Sequence, residues 1–236
     1  VEQIFTLLSW GAEGWLDEIA YGTMITVLLA LATLPFGLLL GLLVALAQES
    51  REQSLKLSAQ IYTTIFRGLP ELLTLFIIYY GVPIAINSAL SFMGLNPIDI
   101  NSFLAGMIAL GVVFSAYSSE VFSSAFKGIN QGQYEGGHAI GLSKFQTLYL
   151  VILPQLIRLA LPGLSNLWLI LLKDTALISA IGLSDLLRQT SIAARVSKEE
   201  FLFFGLAFLI YLCLSIISSL GIGKVETWSK RGATGR

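Results

Sequence analysis

Long apolar runs broken by short polar stretches set the architecture of this chain. Ile19 to Ala47 carries no charged residue. At 1.5 Å per residue, about 20 helical residues cross a hydrocarbon core of about 30 Å. This run is therefore a transmembrane helix with length to spare, bent at Pro35 and Gly37. It is too long for a signal-peptide core and has no basic residue before it, so it reads as a retained first span. Gln48 to Lys56 is a charged turn, and the chain re-enters near Leu57. Leu72 to Ile98 is again free of charge, with Asn87, Asn96, Pro97 and Asp99 marking the connection to a third helix. The pattern predicts five spans, at about 19–47, 60–84, 102–126, 158–181 and 201–223, with a polar segment at about 127–154 between the third and fourth. Residues 1–236 form a single all-α integral membrane domain, without a soluble module or internal repeat.

Composition agrees: 55% of the 236 residues are hydrophobic and 12% charged, against roughly 25% charge in soluble domains. Mean hydropathy is +0.78. A net charge of −1 with no Lys/Arg cluster excludes a basic nucleic-acid binder. Cys213 and His138 are the only residues of their kinds. That removes an internal disulfide, cysteine or histidine-cluster metal sites, and any Ser-His or Cys-His catalysis outside the segment that holds His138. The chain also lacks a G-x-x-x-x-G-K-[ST] loop, so if ATP drives it, another chain binds the nucleotide. Of the fourteen Lys and Arg residues, nine fall on the side of the 127–154 segment and three (Arg188, Arg195, Lys198) on the other, with Arg67 and Lys173 inside spans. The positive-inside rule then puts the C-terminus and the 127–154 segment in the cytoplasm and the N-terminus outside.

Three groups of polar residues interrupt the apolar runs. In Arg67-Gly68-Leu69-Pro70-Glu71, Pro70 suits a first helical position and Glu71 the positive end of a restarted helix. Equally, an ionised group in mid-membrane is costly by about 2.5–3.5 kcal/mol on insertion scales, so it faces a cavity or a partner. Arg67 and Glu71, four residues apart, would pair if the break were mild. Ala116 to Glu120 brings Tyr117 and Glu120 into the third span, with Glu120 read either as a structural or gating acid or as a substrate contact. Lys127 lies two turns beyond Glu120, about 10 Å along the axis and too far for a direct pair. In Trp168 to Ser179, Lys173 and Asp174 are about 100° apart around a helix, so at least one looks into the bundle. Asp174 lines a substrate path or, with Thr175 and Ser179, acts as polar glue between helices. Tyr79, Tyr80 and Tyr117 offer cation-π or packing surfaces near these acids.

Glu135 to Pro154, EGGHAIGLSKFQTLYLVILP, is polar and glycine-rich at its start and apolar at its end. A short helix, a turn at Gly141 and a second helix stopped by Pro154 account for it. Glu135, Gly136, Gly137, Gly141, Val151, Leu153 and Pro154 resemble the "EAA" loop of the membrane-spanning subunits of ATP-binding-cassette importers. The chain differs from that pattern in having Gly136-Gly137 for two alanines and Val151 for isoleucine, and each glycine lowers helix propensity by about 1 kcal/mol. Tyr62 to Leu73 is similar to the Arg-Gly-x-Pro signature of polar amino-acid permeases, and Lys173 to Leu177 to a signature on their path-lining span. Glu71 matches the subset that handles histidine, arginine and opines. The resemblance spans roughly 21–190.

It implies an importer-type permease of five transmembrane helices in the bacterial cytoplasmic (inner) membrane, carrying polar and preferentially basic amino acids or opines. It implies that Glu135, Gly136, Gly137, Gly141, Leu153 and Pro154 form an ATPase-coupling loop, with His138 a contact or solvated side chain. Substrate-path residues would be Glu71, Asp174, Glu120, Tyr117 and Thr175. Expected partners are two ATP-binding subunits that hold ATP and Mg, a second permease subunit, a substrate-binding protein and the lipid bilayer. This chain itself carries no cofactor and no enzymatic activity on this reading. The alternative from another class is an ion-coupled transporter or channel subunit that uses Glu71, Glu120 and Asp174 as a cation relay.

Overall fold

The computed structural model describes residues 2–11 and 13–230. Arg231 and Arg236 of the basic tail lie outside the described residues. After a short α1 (Glu2–Leu7), helices run as α2 (Leu16–Gln48), α3 (Gln53–Gly68), α4 (Glu71–Phe92), α5 (Ser102–Lys127), α6 (Gln131–Ala139), α7 (Lys144–Thr147), α8 (Leu153–Asp174), α9 (Leu186–Ser197) and α10 (Glu200–Lys230). A π turn, Leu148–Ile152, joins α7 to α8, and a 3-10 segment, Thr175–Ile181, follows α8. Among the described residues, five helices are long and apolar enough to cross a membrane: Leu16–Gln48, Glu71–Phe92, Ser102–Lys127, the continuous run Lys144–Ile181, and Glu200–Thr227.

The bundle is built around α5. Within its apolar window 61% of residues are buried, against 11–28% in the other four. Small residues bring α2 against it. A Cβ on Gly41 would overlap the Ser118 hydroxyl, and Ser118 Oγ donates to the Gly37 carbonyl at 3.3 Å. With little hydrophobic drive between helices in lipid, such close backbone approach supplies the van der Waals contact that holds them. Leu29, Leu75, Ala109, Leu110, Phe114 and Leu171 form the main core between α2, α4, α5 and α8.

The fifth membrane helix, α10, runs on past the expected 223 to Lys230, and two proline-marked boundaries depart from the apolar pattern. The expected second span, about 60–84, straddles a break: Leu69 (φ −91°, ψ 150°) and Pro70 (φ −56°, ψ 127°) are extended, so α3 ends at Gly68 and α4 starts at Glu71. Proline disfavours helical backbone in the residue before it and lacks the donor to continue the ladder. The transmembrane helix consequently starts later and runs on to Phe92, with Asn87 pinning the following loop through both Ile98 N–H (2.8 Å) and Ile98 C=O (3.0 Å). At the other site, the helix expected to stop at Pro154 continues through it. Leu153 N–H bonds Leu148 C=O five residues back. The widened turn accommodates a ring that would otherwise crowd the carbonyl four residues earlier.

The connection at 182–200 is not a bare loop. Asp185 caps α9, accepting from Arg188 N–H at 3.0 Å, and Leu186 N–H donates to Thr26 Oγ1 of α2 at 3.1 Å. Asp185 is fully buried and its Oδ2 has no hydrogen-bond partner. Burial raises its carboxyl to about 6, above the unfolded value of about 3.9. A raised folded pKa gives stability that is full below the unfolded value and lost as pH rises through the folded one. Melting temperature in detergent is therefore expected to fall between pH 4 and pH 7, by the equivalent of roughly 3 kcal/mol from this group. Asp185→Asn keeps the cap and should flatten that part of the profile. An unchanged slope in this variant would refute the assignment.

Candidate translocation site and coupling loop

Inside the bundle, the first turn of α4, the middle of α5 and the end of α8 meet around a cavity of about 20 Å³. Glu71, Tyr117 and Asp174 supply its polar wall, and Leu75, Phe114 and Leu171 much of the apolar one. Its lining contains two carboxylates and no Lys or Arg. Tyr117 hydroxyl donates to Glu71 Oε1 at 3.0 Å. Asp174 sits in the last turn of α8, where the helix dipole adds negative potential. Its neighbour Lys173 is exposed and is not part of the cavity lining.

The predicted Arg67–Glu71 pair is absent. The extended Leu69-Pro70 step removes the helical register that four-residue pairing requires. Arg67 instead reaches Glu120 of α5, Nη1 to Oε2 3.3 Å, and its guanidinium carbon lies 5.9 Å from the Tyr117 ring centroid. Glu120 Oε1 accepts from Gln48 Nε2 at 3.3 Å. Glu120 thus stands beside the inner cavity and does not line it. Thr175 is also outside: its side chain is buried and its hydroxyl donates to Leu172 C=O at 2.8 Å. Tyr79 packs on the core, whereas Tyr80 is exposed.

In the 127–154 segment, α6 carries Glu135, Gly136 and His138 on its exposed side and buries Gly137. The helix ends with Gly141 at φ +83°. Leu142 N–H bonds Gly137 C=O at 3.0 Å and Gly141 N–H bonds His138 C=O at 3.0 Å, which closes the carbonyl end of the helix. Ser143 then opens α7 through reciprocal bonds with Gln146, 3.3 Å and 2.9 Å. These two local motifs fix the corner between α6 and α7. Leu153 and Pro154 lie past the π turn, at the root of α8 rather than in the corner. Ile140, Phe145 and Tyr149 are largely exposed, with the two rings stacked at 6.4 Å. The sequence marks this segment as apolar, and the four-residue spacing of Phe145 and Tyr149 after a capping box puts the two rings on one face.

The two glycines differ. A Cβ at Gly136 meets nothing within 4 Å, whereas one at Gly137 would lie 2.6 Å from Thr147 Cγ2. Alanine favours a helix by about 1 kcal/mol over glycine at either position, but crowding a packed site costs about 1–3 kcal/mol. Gly136→Ala should raise the melting temperature and Gly137→Ala lower it. Equal shifts in differential scanning fluorimetry would contradict the packing.

Residues 37–224 match the family of binding-protein-dependent transport system inner membrane components. The chain belongs to that family. The permease is 40% identical over 231 residues to the nopaline transport system permease protein NocQ of Agrobacterium fabrum, covering 96% of this chain and 97% of NocQ. It is 36% identical over 206 residues to the histidine/lysine/arginine/ornithine transport system permease protein HisQ of Salmonella typhimurium, covering 87% and 90%. Among solved structures it resembles a chain of an amino acid ABC transporter crystallised with histidines, with a TM-score of 0.75, 30% identity and 90% and 94% coverage. The permease is thus a translocation subunit of an ATP-driven importer, and the ion-coupled relay through Glu71, Glu120 and Asp174 is not favoured. Membership implies an ATPase, a substrate-binding protein and a second permease as partners, in an inner membrane.

Proposed function

We propose that the permease carries basic amino acids or opines, with Glu71 and Asp174 holding the substrate's cationic group and Tyr117 presenting its hydroxyl and ring beside them. The observation that carries this reading is the convergence of two carboxylates on one cavity whose lining has no basic residue. The names of NocQ and HisQ, which specify nopaline and histidine, lysine, arginine or ornithine, point the same way. A cavity of about 20 Å³ holds roughly one water. The site must therefore widen for substrate, as alternating access requires.

The orientation proposed from Lys and Arg counts has the C-terminus and α6–α7 in the cytoplasm and the N-terminus outside. Two ATPase subunits, with ATP and Mg, then dock on the corner of Glu135, Gly136, Gly137 and Gly141. The exposed Phe145–Tyr149 stack supplies apolar contact, and Leu153 and Pro154 transmit the movement into α8. This chain hydrolyses nothing itself. A second permease, identical or related, completes the path, and the binding protein delivers substrate to the opposite face.

The test is the ATPase rate of the reconstituted importer with its binding protein across arginine, lysine, nopaline and glutamine. Stimulation by a cationic member and not by glutamine supports the reading. Equal stimulation by glutamine overturns it.

A further inference from the structure

Arg67 places a cation within the permease between its inner cavity and a wider cleft. Two cavities of about 540 Å³ each share Arg67 and Glu120 in their walls. One extends between α5 and α8 past Ser124, Gly128, Leu159 and Gly163. The other extends past Gln48, Glu49, Thr63, Lys56 and Lys127 at the end of the bundle nearer α6. From the inner cavity toward that end come Glu71 and Asp174, then the Tyr117 ring, then the Arg67–Glu120 pair, then a rim with two lysines. Tyr117 lies between the two groups, bonding Glu71 through its hydroxyl (3.0 Å) and facing the Arg67 guanidinium with its ring (5.9 Å).

We propose that Glu120 is a second station for the cationic group of the substrate on its way out, occupied between turnovers by the Arg67 guanidinium as a tethered stand-in. The proposal rests on the basic-substrate reading above. Both side chains of the pair are about two-fifths exposed, 43% and 40%. Ion pairs this open are worth only about a two- to fivefold factor in an equilibrium, so an arriving guanidinium or ammonium can exchange with Arg67. Gln48 bonds the other carboxylate oxygen, Oε1, which leaves Oε2 for either cation. The extended Leu69-Pro70 step leaves the last turn of α3 untied to α4, so Arg67 can swing without disturbing Glu71. Its return then displaces the substrate toward the lysine rim. A bare carboxylate at this point would retain the very cations the permease is meant to release.

Equilibrium binding of radiolabelled arginine to the complete purified importer, together with kcat and KM in proteoliposomes, tests this. Arg67→Gln should bind arginine about two- to fivefold more tightly, with both KM and kcat lowered. Arg67→Lys should resemble wild type, and Arg67→Gln with Glu120→Gln should lose the gained affinity. A purely structural pair gives no tightening, so Arg67→Gln binding arginine no better than wild type overturns the proposal. Should that variant fail to assemble, Glu120→Gln carries the test: weaker arginine binding supports the station and unchanged binding overturns it. Absence of arginine, lysine and opine binding by wild type would instead be a failure of the basic-substrate reading.

Discussion

Glu71→Gln combined with Asp174→Asn is expected to abolish uptake of basic substrate while the permease still co-purifies with its ATPase. Both changes keep size, and a glutamine carbonyl at 71 can still accept from Tyr117, which now bonds Glu71 Oε1 at 3.0 Å. Charge is lost, and one acceptor oxygen of each carboxylate becomes an amide donor. Removing one member of a desolvated charge pair costs about 2–5 kcal/mol, so each single variant should weaken substrate affinity by about 30-fold or more. The two losses share one ligand and will not simply add. Uptake of radiolabelled arginine by membrane vesicles measures the effect. Near-normal uptake by the double variant would remove the two carboxylates from the path.

Glu135→Arg with Gly141→Pro is expected to eliminate recovery of the ATPase in a mild-detergent pull-down, at equal membrane expression. Gly141 adopts φ +83° and donates its N–H to His138 C=O. Proline is held near φ −65° and has no such donor. The corner between α6 and α7 would open, carrying the exposed Phe145–Tyr149 face away from its position. Reversing the charge at exposed residue 135 removes the carboxylate available for a charged hydrogen bond to the partner. ATPase retained at wild-type yield would show that the docking surface lies elsewhere.

Much of this was legible in the sequence because membrane helices must satisfy their backbone internally. Long uncharged runs therefore announce helices, and the Gly141 turn announces itself by residue type. What was hidden depends on packing between distant segments. Arg67 and Glu71 are four apart, and helical spacing alone pairs them; the extended Leu69-Pro70 step sends Arg67 to Glu120 instead. Gln48, at the end of an apolar run, carries no sign that it bonds Glu120 72 residues on. Pro154 reads as a stop, and only the π turn before it lets the helix pass. Thr175 follows Asp174 directly, yet its hydroxyl turns to its own backbone rather than into the cavity.

Uptake of radiolabelled arginine into proteoliposomes, compared with and without ATP, separates a motor-coupled path from a self-contained one. One set of vesicles would hold this permease with its second permease, ATPase and binding protein, and another this chain alone. Accumulation only in the complete set and only with ATP is the expected result. Accumulation by this chain alone, driven by an imposed proton gradient, would contradict a motor-coupled path.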